Sequence, residues 1–148
     1  MQPDIPVARA AATKLWREHG AKVPVDVFAI ARAAGLTVTV GTFQHAGLLR
    51  DGSVIEVPIR DPLSRQRFTV AHELGHAMLR HDVPEERLEV EANAFAAELV
   101  LPRQPLAQAV SAGLGFRAIA ERFGASREAT LYALTGARLL GGTSGSSC

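Results

Sequence analysis

The five-residue stretch HELGH, residues 72–76, determines the interpretation of this sequence. In a helix, His72 and His76 lie about 40° apart on one face, and Glu73 projects from the same turn. Neutral imidazole is a good zinc ligand, and a neighbouring carboxylate can act as a general base. Because a hydrolytic zinc site uses three protein ligands and leaves one position for water, a third ligand is expected elsewhere in the chain. The alternative is a pair of histidines on a solvated helix face.

The length and composition of the chain predict one compact domain. With 148 residues, 47% of them hydrophobic, the chain is long enough to bury one sizeable core. We expect residues 1–140 to form this domain and the tail at 141–148, GGTSGSSC, to be flexible. A formal net charge of +1 argues against a general electrostatic attraction to nucleic acid.

The cysteine content and the N-terminus indicate the compartment. The single cysteine, Cys148, allows neither a disulfide framework nor a thiolate metal site, so that any metal must use histidine and carboxylate ligands. The N-terminal segment carries Asp4 and lacks the uninterrupted apolar core of a signal peptide. No run of about 18 uncharged apolar residues is present to span a bilayer. We therefore expect a cytoplasmic protein without a membrane segment.

Hydrophobic periodicity predicts an α+β fold with N-terminal helices, a small three-stranded sheet, the HELGH helix, a glutamate-bearing helix and C-terminal helices. The sheet is expected to be antiparallel or mixed, with Asp51-Gly52 as a hairpin turn. Helices are expected at residues 7–19, 25–35, 62–80 and 84–101, strands at residues 36–40, 46–50 and 53–57, and two further helices up to Leu140, divided by Gly124, Ala125 and Ser126.

Three residues of the HELGH helix carry predictions of their own. Asp61 is expected to cap the helix and Pro62 to occupy its first position. Gly75 lowers helix propensity, which is easier to understand if another backbone approaches the helix there.

The third metal ligand is not a histidine in the metzincin spacing. That motif, HExxHxxGxxH, requires glycine and histidine where this chain has Leu79 and Asp82. The other source is the segment ERLEVEANAFAAELVLP, residues 86–102, which is expected to form the next helix and carries several glutamates.

Helical phase selects Glu89 as the third ligand. Glu89 borders the apolar side of its predicted helix, whereas Glu91 and Glu98 fall on the expected solvent side; Glu91 stays open as an alternative. Asn93, one turn after Glu89, is predicted to orient a ligand histidine through its amide. His81 is a competing ligand, although a surface or helix-end position is the favoured interpretation.

The two segments RQRFTVAHELGHAMLRH and ERLEVEANAFAAELVLP together resemble the ImmA/IrrE family of bacterial and phage metallopeptidases, also called the M78 peptidases. The resemblance is close over residues 46–102 and looser in the flanking helices. It implies a zincin-like fold and a site in which His72, His76 and Glu89 bind Zn²⁺ and Glu73 is the catalytic base. The joint pattern is far more specific than the HExxH motif alone.

The resemblance also implies a biological setting. Such enzymes commonly cleave or inactivate a helix-turn-helix repressor of the phage or mobile-element type. The corresponding hypothesis is a zinc-dependent endopeptidase in which Glu73 accepts a proton from the attacking water and passes it to the leaving amine. An exposed strand within residues 46–57 is expected to hold the substrate in an extended conformation by backbone pairing.

Two alternatives from other classes stay open. One is a zinc-binding regulator that captures a repressor without cutting it, which needs the same ligands. The other is a DNA-binding module, because FRAIAERFGASREATLYALTG, residues 116–136, has the pattern of a helix-turn-helix, although its second helix offers little to contact base edges.

Four further side chains are candidates for supporting roles. Tyr132 and His45 are candidates for stabilising an oxyanion, but packing is the favoured interpretation for both. Arg65 and Arg67, just before the motif, are candidates for contact with an acidic partner, with a solvated helix start as the commoner meaning of such charges.

Overall fold

A computed structural model describes residues 2–137 of the chain and has an α+β fold. The predicted order of elements, from N-terminal helices through a small sheet to the HELGH helix, the glutamate-bearing helix and the C-terminal helices, is confirmed. The domain boundary expected at residue 140 and the expected flexible tail at 141–148 lie outside the described residues. The elements are α1 (Ile5–Glu18), α2 (Val27–Ala33), β1 (Thr37–Gly41), β2 (Leu48–Arg50), β3 (Val54–Pro58), α3 (Leu63–Met78), α4 (Glu86–Val100), α5 (Arg103–Ser111), α6 (Phe116–Phe123) and α7 (Arg127–Gly136).

Helix α1 begins two residues earlier than its hydrophobic pattern indicates. The Asp4 side chain caps the helix by accepting a hydrogen bond from the backbone N–H of Val7. Pro6 is tolerated at the start of the helix because the first N–H groups have no partner within the helix. The capped first turn places the backbone of Asp4 at the start of the helix, where it contacts α4.

The sheet is mixed, as predicted, with the strand order β1-β3-β2. Strand β3 is central, pairing parallel with β1 and antiparallel with β2, and its Ile55 and Val57 are fully buried. The turn between β2 and β3 has positive φ at both Asp51 and Gly52, as a type I′ hairpin turn requires. Because β2 pairs with β3 alone among the described residues, it forms one edge of the sheet.

The start of α3 differs from the prediction. Asp61 is not the cap: Pro62 occupies the cap position in an extended conformation, and no side chain caps the helix. The carbonyl of Pro62 instead accepts the N–H groups of Arg65 and Gln66, each at 2.9 Å. An extended Pro62 cannot also be the first helical residue, so that α3 begins at Leu63.

Helix α4 lies at the centre of the domain. One side packs against α3, another against α1, and its C-terminal half also contacts α7. The residues from Ala94 to Val100 are all buried, which is the burial pattern of a core helix rather than an amphipathic surface helix. Helix α3 in turn lies between α4 and the sheet, so that the side chains of α3 and α4 meet in the middle of the molecule.

The C-terminal part of the described chain contains three helices where the sequence pattern indicated two. Gly113, with a φ of 84°, follows α5 and separates it from α6. Gly124, with a φ of 63°, ends α6 in a left-handed conformation that favours glycine. Ser126 caps α7 by accepting the N–H of Ala129 at 3.1 Å, as predicted.

Candidate metal centre

Helix α3 presents His72 and His76 to a cleft beside α4. The helix is anchored on its other sides by Val70, Ala71 and Leu74, which are fully buried. The two histidine side chains are only 16% and 13% exposed, and their Nε2 atoms lie 3.2 Å apart. Because the two histidines are four residues apart in the helix, their Nε2 atoms point toward the same position in the cleft, as the sequence pattern predicts.

Glu89, in the first turn of α4, completes the group. Its Oε1 lies 3.1 Å from Nε2 of His72, and its Oε2 lies 2.9 Å from Nε2 of His76. The Glu89 side chain is 53% exposed, so the group lies at the surface end of the cleft and solvent can reach it. The three side chains that the sequence selected as metal ligands thus come together; that they bind a metal stays a prediction.

The donor set fits a tetrahedral metal ion. Ligand atoms about 2.0–2.1 Å from zinc in a tetrahedral site are separated from one another by about 3.3 Å. The Nε2 atoms of His72 and His76 lie 3.2 Å apart, close to that value. Each of them lies 3.1 or 2.9 Å from one of the two carboxylate oxygens of Glu89, so that the carboxylate faces both rings. Burial lowers the pKa of His76, and so do the neighbouring His72 and His81, while Glu89 opposes the decrease. The lowered pKa favours the neutral imidazole, which is the form that binds metals.

Glu73 lies beside this group but on the side of α3 that faces the sheet. It is 9% exposed, and its carboxylate accepts a hydrogen bond from the backbone N–H of Leu49 in the edge strand β2. Burial raises the pKa of Glu73 to about 7, and the charge of Glu89 adds to the increase, while the Leu49 hydrogen bond opposes it. A carboxyl with this pKa can both accept and release a proton near neutral pH.

Gly75 of α3 lies directly against Phe95 of α4. A Cβ atom at this position would lie 2.9 Å from Cδ1 of Phe95 on α4. The neighbour is a side chain, not the backbone that the sequence analysis suggested. The absence of a side chain at Gly75 lets the Phe95 ring pack directly on α3, which sets the distance between the two helices.

His81 and Glu91 form a contact that the sequence analysis missed. The His81 side chain is only 4% exposed, and its Nδ1 lies 3.0 Å from Nδ1 of His76. Its Nε2 lies 2.9 Å from Oε1 of Glu91, whose Oε2 accepts the backbone N–H of Asp4 at 2.8 Å. The solvent position expected for Glu91, and for Glu98 with it, is therefore wrong. His81 does lie at the end of α3, as one of its two expected positions has it, but its side chain is buried and not at the surface.

The position of Glu91 has a simple physical cause. If α4 packed against α3 alone, its opposite side would face solvent. Helix α1 covers that side instead and buries both Glu91 and Glu98. The Asp4 N–H lowers the pKa of Glu91, burial opposes this, and His81 and Arg87 lower it further. The signal that was available is the run of apolar residues around the whole circumference of α4, which indicates a central helix.

Asn93 does not orient a ligand histidine. It is exposed and lines a cavity of about 660 Å³ between α3 and α7. The Phe68 ring belongs to the same cavity and stacks on His72 with ring centroids 6.5 Å apart. Since Phe68 is one turn before His72 and Asn93 one turn after Glu89, the cavity lies about one helical turn from the candidate metal centre.

Tyr132 and His45 occupy different surroundings. Tyr132 is 40% exposed and lines the cavity next to Phe68. His45 is exposed, with its Nε2 3.2 Å from Oε1 of Glu56 and its Nδ1 2.7 Å from the carbonyl of Ala46. Neither contacts the His72, His76 and Glu89 group.

The two arginines before the motif also differ in their surroundings. Arg65 is exposed at the edge of the cavity. Arg67 is half-buried, and its guanidinium donates to the carbonyl of Val25, which ties α3 to the segment before α2.

Comparison with known sequences identifies the family. The profile described as Peptidase_M78, the IrrE N-terminal-like domain, matches residues 25–135, which include α3, α4 and the whole candidate metal centre. The chain belongs to the Peptidase_M78 family. The resemblance seen in the HELGH and EANAFA segments is thereby confirmed for this M78 chain. Among curated proteins the chain has no match.

A solved structure shares the fold of this M78 domain. It is described as a Mycobacterium tuberculosis transcriptional regulator, and it superposes with a TM-score of 0.70 over 86% of the present chain at 17% sequence identity. The present chain spans 46% of the length of that regulator. At this identity the likeness supports the fold alone. No helix within residues 2–137 is long and apolar enough to cross a membrane.

Proposed function

We propose that this chain is a zinc-dependent endopeptidase that hydrolyses a peptide bond in a protein partner. The observation that carries the proposal is the convergence of His72, His76 and Glu89, with donor atoms 2.9–3.2 Å apart, beside a buried carboxyl from Glu73. Membership of the Peptidase_M78 family supports the same activity. Three protein ligands leave one position of a tetrahedral site for water or substrate, which is the arrangement of catalytic rather than structural zinc sites.

The residues of the chain have distinct roles in the proposed reaction. His72, His76 and Glu89 would hold the ion, which supplies an electrophile and a water of lowered pKa when bound. Glu73 accepts a proton from the attacking water and delivers it to the leaving amine. The N–H of Leu49 holds the Glu73 carboxylate toward β2, where the substrate would lie. Burial of Glu73 makes it a stronger base than an exposed glutamate.

The substrate groove is proposed to run between β2 and α7. Strand β2 is an edge strand next to Glu73, so that an extended peptide can add to it by backbone hydrogen bonds. On the other side of α3, the cavity of about 660 Å³ bordered by Phe68 and Tyr132 is large enough for a bulky side chain. Backbone pairing then supplies affinity, and the cavity supplies side-chain preference.

The proposed substrate is a helix-turn-helix transcriptional repressor. The support is indirect: it comes from the resemblance to the ImmA/IrrE family and from the fold shared with a protein described as a transcriptional regulator. The second candidate function is capture of the same partner without cleavage, which needs the same cleft and ligands. DNA binding is not proposed, because α7 carries a single basic residue, Arg127, and packs on α4.

The test is incubation of the purified protein with candidate helix-turn-helix repressors from the same organism, followed by mass spectrometry of the products. We expect one or a few defined cleavage products with the zinc-loaded protein, and intact repressor with Glu73→Gln or after chelation. Intact repressor that co-elutes with both proteins would favour the non-cleaving regulator. Equal proteolysis by Glu73→Gln would remove Glu73 from the mechanism.

A further inference from the structure

We propose that His81 and Glu91 are positioning residues, which hold His76 in the ring orientation and tautomer that bind the metal. This inference rests on the metal centre of the proposed function and adds to it a hydrogen-bonded chain that reaches the N-terminus of α1. Neither residue belongs to the three-residue ligand group.

The backbone at the end of α3 brings His81 back to His76. Arg80 follows the helix with a φ of 58°, in the left-handed region that reverses the chain direction. The N–H of His81 then donates to the carbonyl of His76 at 2.9 Å, and the two imidazole rings meet with centroids 5.1 Å apart. The contact between the rings is thus built into the local geometry of the helix end.

The accounting of hydrogen atoms gives one consistent arrangement. If Nε2 of His76 faces the metal, the single ring hydrogen of His76 must be on Nδ1. This N–H then donates to Nδ1 of His81 at 3.0 Å. The hydrogen of His81 must then be on Nε2, where it donates to Oε1 of Glu91 at 2.9 Å. In the opposite arrangement, the unprotonated Nε2 of His81 would face a carboxylate oxygen, which is repulsive. The carboxylate of Glu91 therefore selects the metal-binding tautomer of His76 through His81.

Glu91 is itself held from two directions. Its Oε2 accepts the backbone N–H of Asp4 at 2.8 Å, and a guanidinium nitrogen of Arg87 lies 4.0 Å away. Asp4 precedes α1 and lies outside residues 25–135, the part of the chain that matches the family profile. The start of α1 therefore supports the candidate metal centre through Glu91, although Asp4 is far from the HELGH motif in sequence.

The chain offers a matched control in Glu98. Like Glu91 it is a nearly buried glutamate of α4, with 8% exposure against 9%, and it accepts a backbone N–H, that of Arg103 at 2.9 Å. It makes no contact with a histidine. In Glu91→Gln, a single side-chain oxygen remains for two N–H donors, those of Asp4 and His81. In Glu98→Gln, a single oxygen remains for one backbone donor, the N–H of Arg103. Only the first change therefore disturbs the hydrogen bonds that lead to His76.

The experiment measures zinc affinity by competition with a chromophoric chelator for the full chain and for Glu91→Gln, His81→Phe and Glu98→Gln. We expect the first two variants to bind zinc about 10- to 100-fold more weakly, and Glu98→Gln to bind as the parent does. Nitrogen-15 NMR of the zinc-loaded parent should show His76 protonated at Nδ1. Circular dichroism checks that each variant is folded.

The outcomes separate this inference from the proposed function. Unchanged zinc affinity in Glu91→Gln and His81→Phe would overturn the positioning role while leaving the metal site intact, as would an equal loss in all three variants. If the parent protein binds no zinc, both the proposed function and this inference are contradicted. His76 protonated at Nε2 in the zinc-loaded protein would also contradict the positioning role.

Discussion

Gly75 of α3 packs directly against the aromatic ring of Phe95 on α4, so that a side chain at position 75 would meet three ring or Cβ atoms within 3.2 Å. This contact sets the separation of the helices that carry the histidines and Glu89. A larger separation would move the Glu89 carboxylate away from both imidazoles.

Replacing Gly75 with alanine should therefore destabilise the protein and weaken metal binding. Alanine improves helix propensity by about 1 kcal/mol, but overpacking a rigid interface costs about 1–3 kcal/mol, so a net loss of about 1 kcal/mol is expected. Chemical denaturation and zinc titration measure the two effects. In a double-mutant cycle, Phe95→Leu should relieve part of the cost of Gly75→Ala. Additive losses in the cycle would contradict the contact.

Zinc should stabilise the protein only when the three converging side chains are present. A ligand that binds the folded state alone adds about 2.7 kcal/mol of stability at a concentration 100 times its dissociation constant. We expect a rise in melting temperature with zinc for the parent, and none for His72→Ala, His76→Ala or Glu89→Ala. The control is His19→Ala, which removes an exposed histidine at the end of α1 and should keep the full response. An undiminished response in Glu89→Ala would exclude Glu89 as a ligand.

The raised pKa of Glu73 predicts that ionising this carboxyl lowers the free energy of unfolding of the metal-free protein as pH rises. Because its pKa is about 7 in the folded protein against 4.5 for the ordinary group, the folded state holds this proton more tightly. The stability associated with the protonated form is present below pH 4.5 and is lost as pH rises toward 7. Above that window Glu73→Gln should be more stable than the parent by roughly 1–2 kcal/mol, a range reduced for solvent screening.

Urea denaturation at pH 4 and pH 8 in the presence of a chelator tests this. The glutamine keeps an acceptor for the Leu49 N–H, so the comparison isolates the charge. A stability difference that is the same at both pH values would contradict the raised pKa.

The cavity beside the metal centre should contribute to substrate binding and not to metal binding. Tyr132→Ala removes a ring from its wall, and the lost apolar contact of about 1–2 kcal/mol corresponds to a rise in KM of roughly 5- to 30-fold with little change in kcat. Leu131→Ala is the matched control, because Leu131 is 48% exposed on the same helix and does not line the cavity. Peptide cleavage kinetics measure both; the same KM for the two variants would remove the cavity from the substrate groove.

Features that depend on neighbouring residues in the chain were predictable. The spacing of His72 and His76 follows from helical geometry, and the structure brings both Nε2 atoms to one point. The Asp51-Gly52 turn and the Ser126 cap also depend only on local conformational preferences, and both predictions are confirmed. Helical phase also selected Glu89 over the other glutamates, and its carboxylate lies at the histidines, although metal binding stays a prediction.

The predictions that were wrong depend on conformations and contacts that the local pattern does not specify. A helical wheel describes one helix at a time, so it places Glu91 and Glu98 on the solvent side of α4 and does not show that α1 covers that side. In the same way, the position of His81 at the end of α3 does not show that its side chain is buried against His76. Asp61 was assigned as a cap from its residue type, whereas the extended conformation of Pro62 decided where α3 begins.

The sequence by itself indicated the candidate site. Two imidazoles and a carboxylate fall within five residues, where the geometry of one helix sets their relative positions, and a glutamate of the right helical phase lies on the next helix. Only the tertiary structure decided how those groups are supported. The burial of Glu91, the contact of His81 with His76 and the approach of Phe95 to Gly75 join residues from separate elements. Such contacts arise from packing between surfaces, which the order of residues in one segment does not specify.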